Sequence, residues 1–215
     1  NAEIDFDINA MLPNQCKPIF IGKNKNELKK IKEKLNNPSA IFILQGDIPD
    51  PSFWHPIDIN LNLSVEENTT ILFNLMSKNL PFQGLFIQLN LSGELIKDVA
   101  KTRALKILWF NWLEKNKIEK SIFINAFKVL ENDFPNQVIE QTVQCVIADC
   151  CQADRLQIST SSTNLQQANT LRHTYNVCNI ESYIGNISDP IGGSYLWEFI
   201  SEELARKAWY KYFEN

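Results

Sequence analysis

The chain has 215 residues, of which 44% are hydrophobic and 21% charged, and its formal net charge is −4. This length suits one domain or two small ones, and the abundant aliphatic and aromatic residues exclude an intrinsically disordered chain. No apolar run approaches the roughly 20 residues of a membrane span, so no membrane association is predicted. The acidic balance predicts that the chain does not bind nucleic acid. Only seven glycines and two histidines are present, which excludes glycine-rich phosphate loops and most histidine-based metal sites.

Short β-branched and aromatic segments alternate with helical segments along the chain. The pattern predicts six buried strands, at Pro18–Ile21, Ala40–Leu44, Ile57–Leu61, Leu85–Leu89, Ile122–Ala126 and Arg155–Ser159. It predicts helices at Lys25–Leu35, Val65–Met76, Glu94–Lys115, Asn136–Ala153, Asn164–Gly185 and Trp197–Phe213. Alternating strands and helices indicate an α/β fold with parallel strands and outer helices, either a (β/α) TIM-type barrel or a doubly wound sheet. An eight-stranded barrel takes roughly 250 residues, so a barrel of this length would be abbreviated or incomplete.

The histidines and cysteines offer few catalytic candidates. His55 lies in a predicted loop, Gly46–Pro56, where Asp50 or Asp58 could orient it as a base, although packing or surface exposure explains a loop histidine equally well. His173 lies within a predicted helix, where a surface position suffices to explain it. The five cysteines form no C-x-x-C pair, which predicts free thiols in a reducing cytoplasm.

Two cysteine positions and one glycine pair need separate comment. Helical spacing makes Cys145 and Cys150 small core residues, while Cys150-Cys151 beside Asp149 is a weaker candidate for a metal or redox site. Gly192 and Gly193 lead directly into a helix, so their turn is either a tight corner or an anion-binding turn. Both ends of the chain suggest a piece cut from a longer protein.

Three groups of residues in the last third of the chain are spaced as in one protein family. They are Arg172-x-Thr174, Glu181-Ser182, and Asp189-Pro190-Ile191-Gly192-Gly193-Ser194-Tyr195 followed by Ala208-Trp209. This part resembles the end of the barrel domain of methylmalonyl-CoA mutases, which reads R-N-T, E-E-S, D-P-x-G-G-S-Y and A-W. Upstream, Ala100–Trp109, with Lys101, Arg103 and Trp109, resembles the family's A-K-L-R-A-x-R-x-L-W helix, and Thr142–Thr160 resembles its next helix and strand.

The resemblance is specific over residues 80–213 and weak over residues 1–79, and it predicts a single mutase-like barrel domain over 1–215. It implies the substrate-binding half of an adenosylcobalamin-dependent isomerase that interconverts succinyl-CoA and (R)-methylmalonyl-CoA. In active members, acyl-CoA threads the barrel axis. A separate α/β domain with the motif D-x-H-x-x-G supplies the histidine ligand to cobalt.

This sequence departs from the active members at several points. It contains no D-x-H-x-x-G, so no cobalamin-binding domain is predicted, and Ile57–Glu67 lacks the histidine of the family's Y-H-x-x-E-A-G-A segment. Cys151-Gln152 stands where the family has Gly-Gly. The strands Leu85–Asn90 and Ile122–Phe127 are bulky and are expected to fill the axis, where a CoA channel favours small polar side chains.

These departures are similar to those of the small (β) subunit of the heterodimeric bacterial mutase. The resemblance therefore implies a cytoplasmic, non-catalytic barrel that binds no cofactor or metal and supports a large catalytic subunit. Adenosylcobalamin would sit in that partner, acyl-CoA would be met only through the complex, and the shared motif residues would be structural. One alternative is the acyl-CoA-binding barrel fragment of a split radical mutase. Another is an unrelated enzyme built around Cys150-Cys151 or His55.

Overall fold

The computed structural model describes residues 19–35, 40–45, 52–77, 83–117, 121–130, 133–160, 165–184 and 187–213. Strands and helices alternate through them. The strands are β1 (Ile19–Gly22), β2 (Ile41–Leu44), β3 (Trp54–Asn60), β4 (Gly84–Asn90), β5 (Ser121–Leu130) and β6 (Arg155–Thr160). The helices are α1 (Lys25–Leu35), α2 (Val65–Ser77), α3 (Leu95–Asn116), α4 (Asn136–Cys150), α5 (Leu165–Ser182) and α6 (Tyr195–Phe213).

The six strands form one parallel sheet in the order of the chain, β1 to β6. The sheet is curled into a half-barrel, and within the described residues β1 and β6 are its two edges. This arrangement confirms the predicted α/β fold and is that of an incomplete TIM-type barrel. None of the helices in the described part is both long enough and apolar enough to span a membrane.

The prediction of a loop around His55 is wrong for the last residues of that loop, which belong to a strand. Trp54, His55 and Pro56 belong to β3, where they pair in register with Gly84, Leu85 and Phe86 of β4. On its other side, β3 pairs with β2 only at Trp54. The missing N–H group of Pro56 therefore breaks no hydrogen bond between these strands, and strands tolerate proline at such positions. Residues 46–51 of the predicted loop lie outside the described residues.

One apolar core lies between the sheet and the helices. Trp109 of α3 is buried in it, and Phe73 of α2 is fully buried among the aromatic rings of α3 and α6. The Phe73 ring meets Trp209 and Tyr212 edge to face, with centroids 5.8 Å and 4.9 Å away. Aromatic pairs of this kind add stability beyond their buried area, so α2, α3 and α6 are held together as one layer.

Candidate functional site

Side chains of the central strands alternate between the helices and the concave inner face of the half-barrel. On β4, Leu85, Ile87 and Leu89 pack against the helices, and Phe86 belongs to a separate cluster on the other face. The same alternation runs in register through β3 and β5. The prediction that the bulky residues of β4 and β5 fill the axis is therefore wrong for most of them, because their aliphatic side chains point outward to the helices.

The amino ends of the strands carry an apolar cluster on the inner face, which we call the apolar floor. The rings of Phe86 and Phe123 stack with centroids 5.6 Å apart. At Gly84, a Cβ atom would lie only 2.8 Å from the Trp54 ring and from the main-chain oxygen of Ser121, so glycine makes room for the indole. The other members of the floor come from β1 and β2: Ile19, Ile21, Ile41 and Ile43.

Polar side chains occupy the next positions of the inner face, toward the carboxyl ends of the strands. We call this set the polar rim. Its first row in register consists of Asp58, Gln88, Asn125 and Arg155. Its second row consists of Asn60, Asn90 and Gln157, and the apolar Phe127 lies in register between Asn90 and Gln157. Active sites of (β/α) barrels lie at this end of the strands, so the rim is the candidate functional surface.

Asn125 is the buried centre of the polar rim, since only 1% of it is exposed. Its Nδ2 donates a hydrogen bond to Oε1 of Gln157 at 3.1 Å, whereas its Oδ1 finds no hydrogen-bond donor within the described part of the chain. A buried amide oxygen without a donor costs about 1–3 kcal/mol, and a ligand or water that donates to it would remove that cost.

The chemistry of the polar rim suits binding better than catalysis. Amides, a carboxylate and a guanidinium can orient a polar ligand. Among the described residues, no histidine or cysteine shares this face: His55 alternates with Trp54 and Pro56 and so lies on the opposite side of β3, and His173 is exposed on α5. The described residues also contain no cluster of three histidine, cysteine or acidic side chains that could hold a metal ion.

The glycine pair belongs to a tight corner held by an ion pair. Nη1 of Arg103 on α3 donates to both carboxylate oxygens of Asp189, each at 2.8 Å. A Cβ atom on Gly192 would lie 2.9 Å from that carboxylate, and Gly193 has a φ of +77°, a conformation that favours glycine. Pro190 and Ser194 complete the corner before α6 begins at Tyr195.

Two lysines of α3 bind main-chain oxygens in two other segments, one after β3 and one at the end of α4. Lys101 donates to the main-chain oxygens of Leu61, at 2.9 Å, and of Leu63, both after β3. Lys106, which sequence analysis missed, donates to the oxygens of Cys151 and Gln152 at 2.9 Å and 3.2 Å, capping the end of α4. Burial lowers the pKa of both ammonium groups.

Gln152 adopts a left-handed conformation, with a φ of 52°. Its side-chain Oε1 accepts from Lys106 at 3.0 Å, and its Nε2 donates to the main-chain oxygen of Ser188. These contacts offset the strain of a non-glycine residue at positive φ. Beside this cap, burial raises the pKa of Asp149 to about 6.

The remaining motif residues lie in two parts of the structure, the apolar core and α5. Trp109 is buried, with an Nε1 that finds no acceptor among the described residues, and Trp209 packs on Phe73. Arg172 and Glu181 are exposed on α5, and Thr174 of the same helix donates to the oxygen of Thr170 at 3.0 Å. The structure brings Arg103, Asp189 and the glycine corner together, and it leaves the three α5 residues apart from them.

The sequence contains a signal for the polar rim. Apolar and polar residues alternate at the carboxyl ends of four strands, as Ile57-Asp58-Ile59-Asn60, Ile87-Gln88-Leu89-Asn90, Ile124-Asn125-Ala126 and Leu156-Gln157-Ile158. Such alternation indicates strands with one face against helices and one polar face. The Lys106 contacts have no comparable signal, because they join residues about 45 positions apart.

Comparison with known proteins agrees with the resemblance seen in the sequence. A family model described as methylmalonyl-CoA mutase matches residues 79–215, which is more than half of the chain, and the chain belongs to that family. The probable mitochondrial methylmalonyl-CoA mutase of Caenorhabditis elegans is 27% identical over 125 residues. The aligned part covers 52% of this chain and 17% of that relative.

The Arg103–Asp189 pair is expected to stabilise the fold measurably. In a double-mutant cycle with Arg103→Gln and Asp189→Asn, we expect a coupling energy of about 2 kcal/mol, because the Arg103 side chain is only 19% exposed and binds both carboxylate oxygens. Urea denaturation measures it. The matched control is the exposed Arg206–Glu203 pair, for which we expect little or no coupling; equal coupling in the two cycles would contradict the anchoring role of Asp189.

Stability is expected to fall as Asp149 ionises. The pKa of Asp149 is raised from 3.8 to about 6 in the folded protein. The folded state therefore has its full stability at a pH below 3.8, where the carboxyl group is protonated in both states, and it has lost this contribution once the pH has risen through about 6. Asp149→Asn should therefore be more stable than the parent at neutral pH, by about 1–2 kcal/mol after allowing for partial exposure. Urea denaturation between about pH 4 and about pH 7 tests this. Asp133→Asn, at an exposed position, should keep the parental pH profile, and an unchanged profile in Asp149→Asn would refute the assignment.

Proposed function

We propose that this member of the methylmalonyl-CoA mutase family is a small-subunit-like, non-catalytic barrel. Its role is to bind and stabilise, in the cytoplasm, the large catalytic subunit of an adenosylcobalamin-dependent isomerase. That isomerase would interconvert succinyl-CoA and (R)-methylmalonyl-CoA. The observation that carries the proposal is the apolar floor on the inner face.

The apolar floor argues against a substrate channel along the barrel axis. An acyl-CoA that threads a barrel must pass the amino ends of the strands, and there Trp54, Phe86 and Phe123 occupy the inner face. Phe86 and Phe123 are 4% and 5% exposed, so little room remains beside them. A polar pantetheine chain would also lose hydrogen bonds to water against this surface.

The two histidines of this sequence are poor candidates for the cobalt ligand of adenosylcobalamin. The family's cobalt ligand is the histidine of D-x-H-x-x-G, and neither His55, which precedes a proline in β3, nor His173, in Arg-His-Thr, stands in such a motif. We therefore assign the cofactor to the partner subunit, and acyl-CoA would meet this chain only through the complex.

Exposed apolar side chains on the outer helices support association with a partner. At the start of α6, Tyr195 and Phe199 stack with centroids 6.0 Å apart, and they are 81% and 54% exposed. Leu196 between them is also exposed. Contiguous exposed apolar surface of this kind is typical of protein–protein contacts, with aromatic side chains as anchors.

The test is to mix the full chain with its cognate large mutase subunit and to measure complex formation by size-exclusion chromatography with light scattering. We expect a heterodimer that Phe199→Glu weakens at least tenfold, because it places a charge in the contact. Ile139→Glu, on the exposed face of α4, is the matched control and should leave binding unchanged. Absence of a complex, or tight binding of cobalamin by this chain alone, would overturn the proposal.

The second candidate is the acyl-CoA-binding barrel of a split radical mutase, and the polar rim favours it. Calorimetric titration of the isolated chain with succinyl-CoA distinguishes the two. Our proposal predicts no saturable heat. Binding that Gln88→Leu and Gln157→Leu abolish would replace it with the second candidate.

A further inference from the structure

The exposed face of α6 carries a line of side chains that runs from one end of the helix to the other. Its members follow one another at spacings of three or four residues, which keeps them on one face of a helix about 27 Å long. All of them are exposed, and we call them the α6 stripe: Tyr195, Phe199, Glu202, Arg206, Tyr210 and Phe213. The buried residues of α6 are Ser201, Ala205 and Ala208, so the stripe points away from the core.

A groove lies beside the α6 stripe, where α6 packs against α3. Its volume is about 370 Å³, and Glu202, Arg206 and Tyr210 of the stripe form one wall. Ile107 and Asn111 of α3 line it from the other helix. An exposed line of side chains beside a partly apolar groove is the kind of surface on which a second helix packs.

The order of side chains along the stripe is symmetric about Leu204, with opposite charges on the two sides. Read inward from either end, the stripe gives aromatic residues and then one charged residue, which is acidic in the first half and basic in the second. Tyr195 and Phe213 each lie nine positions from Leu204, and Glu202 and Arg206 each lie two positions from it. The stripe is therefore complementary to a second copy of itself that runs in the opposite direction.

We propose that two copies of this chain form a homodimer in which their α6 stripes pack antiparallel. Glu202 of each copy pairs with Arg206 of the other, and the two ion pairs flank a two-fold axis beside Leu204. Such a contact uses the same surface on both copies and closes on itself, as in most homodimers. The inference concerns the chain alone and does not rest on the proposed function. The large subunit would displace the second copy from Tyr195 and Phe199 when the complex assembles.

Both charged groups of the stripe have bonding capacity left for a second copy. Nε and Nη2 of Arg206 donate to the carboxylate of Glu203 on the same helix, at 2.8–3.2 Å, and Nη1 makes no hydrogen bond within the described residues. Glu202 is exposed and has no hydrogen bond or ion pair in the described part of the chain. A guanidinium with a remaining N–H edge and an unpaired carboxylate can therefore form a charge-assisted hydrogen bond between copies.

The charges select the orientation, and the aromatic side chains supply the affinity. In a parallel arrangement in register, Glu202 would meet Glu202 and Arg206 would meet Arg206, and juxtaposed like charges disfavour an interface. The antiparallel arrangement brings Tyr195, which is 81% exposed, to Phe213, which is 47% exposed, at both ends of the contact. Burial of exposed aromatic side chains is typical of protein–protein contacts. Because one helix of each copy provides most of the contact, we expect a reversible dimer in the micromolar range.

The experiment measures the dimer dissociation constant of the full chain by analytical ultracentrifugation, without any large subunit. We expect Arg206→Glu and Glu202→Arg each to raise this constant about tenfold or more, because each places like charges opposite each other. The double variant Glu202→Arg/Arg206→Glu exchanges the two charges and should restore the parental constant to within about threefold. Lys207→Glu is the matched control: it makes the same charge change at an exposed position, about 100° around the helix from Arg206, and should leave the constant unchanged.

Three results would overturn the homodimer. They are a chain that stays monomeric at every concentration, a dimer that neither single variant weakens, and single variants whose loss the charge exchange does not rescue. Failure here is distinct from failure of the proposed function. A monomeric chain that still binds the large subunit refutes only the homodimer, and a charge-dependent homodimer that ignores the large subunit refutes only the subunit role.

Discussion

Three basic side chains of α3 hold together connections that are distant in sequence. Lys101 binds main-chain oxygens after β3, Arg103 binds the carboxylate of Asp189 before α6, and Lys106 caps the end of α4. Helix and strand ends leave carbonyl groups without partners, and a buried ammonium or guanidinium satisfies them while keeping its own donors bonded. The outer helices of the half-barrel depend on these contacts, because within the described residues the sheet is open at β1 and β6.

These contacts indicate a structural role for the family motifs of the chain. The segment Ala100–Trp109 places its basic residues toward three connections and its tryptophan into the core, and the Asp-Pro-x-Gly-Gly turn is shaped to receive Arg103. The inner face, where barrel enzymes carry their chemistry, is divided between an apolar floor and a polar rim. Family membership and the floor together support our proposal of a subunit that leaves the reaction to a partner.

Much of this fold could be predicted from the sequence, because local patterns determine it. Periodicity predicts the strands and helices within a few residues. Local sequence also accounts for the start of α2, where Ser64 and Glu67 form a capping box and the Ser64 amide donates to Glu67 Oε2 at 2.8 Å. The start of β3 was missed because the ladder with β4 outweighs the local signal of Pro56. The contacts of Lys106 depend on tertiary structure, and no local pattern contains them.

We propose that the inner face of this chain does not take part in the isomerase reaction of the complex. The most direct measurement is the turnover of succinyl-CoA by the reconstituted complex with Gln88→Ala or Gln157→Ala in this chain. Both side chains are half-buried on the polar rim, so their loss should not unfold the barrel. We expect an unchanged kcat/KM in both variants. A fall of about tenfold or more, equivalent to about 1.4 kcal/mol of transition-state stabilisation, in a complex that still assembles would contradict it.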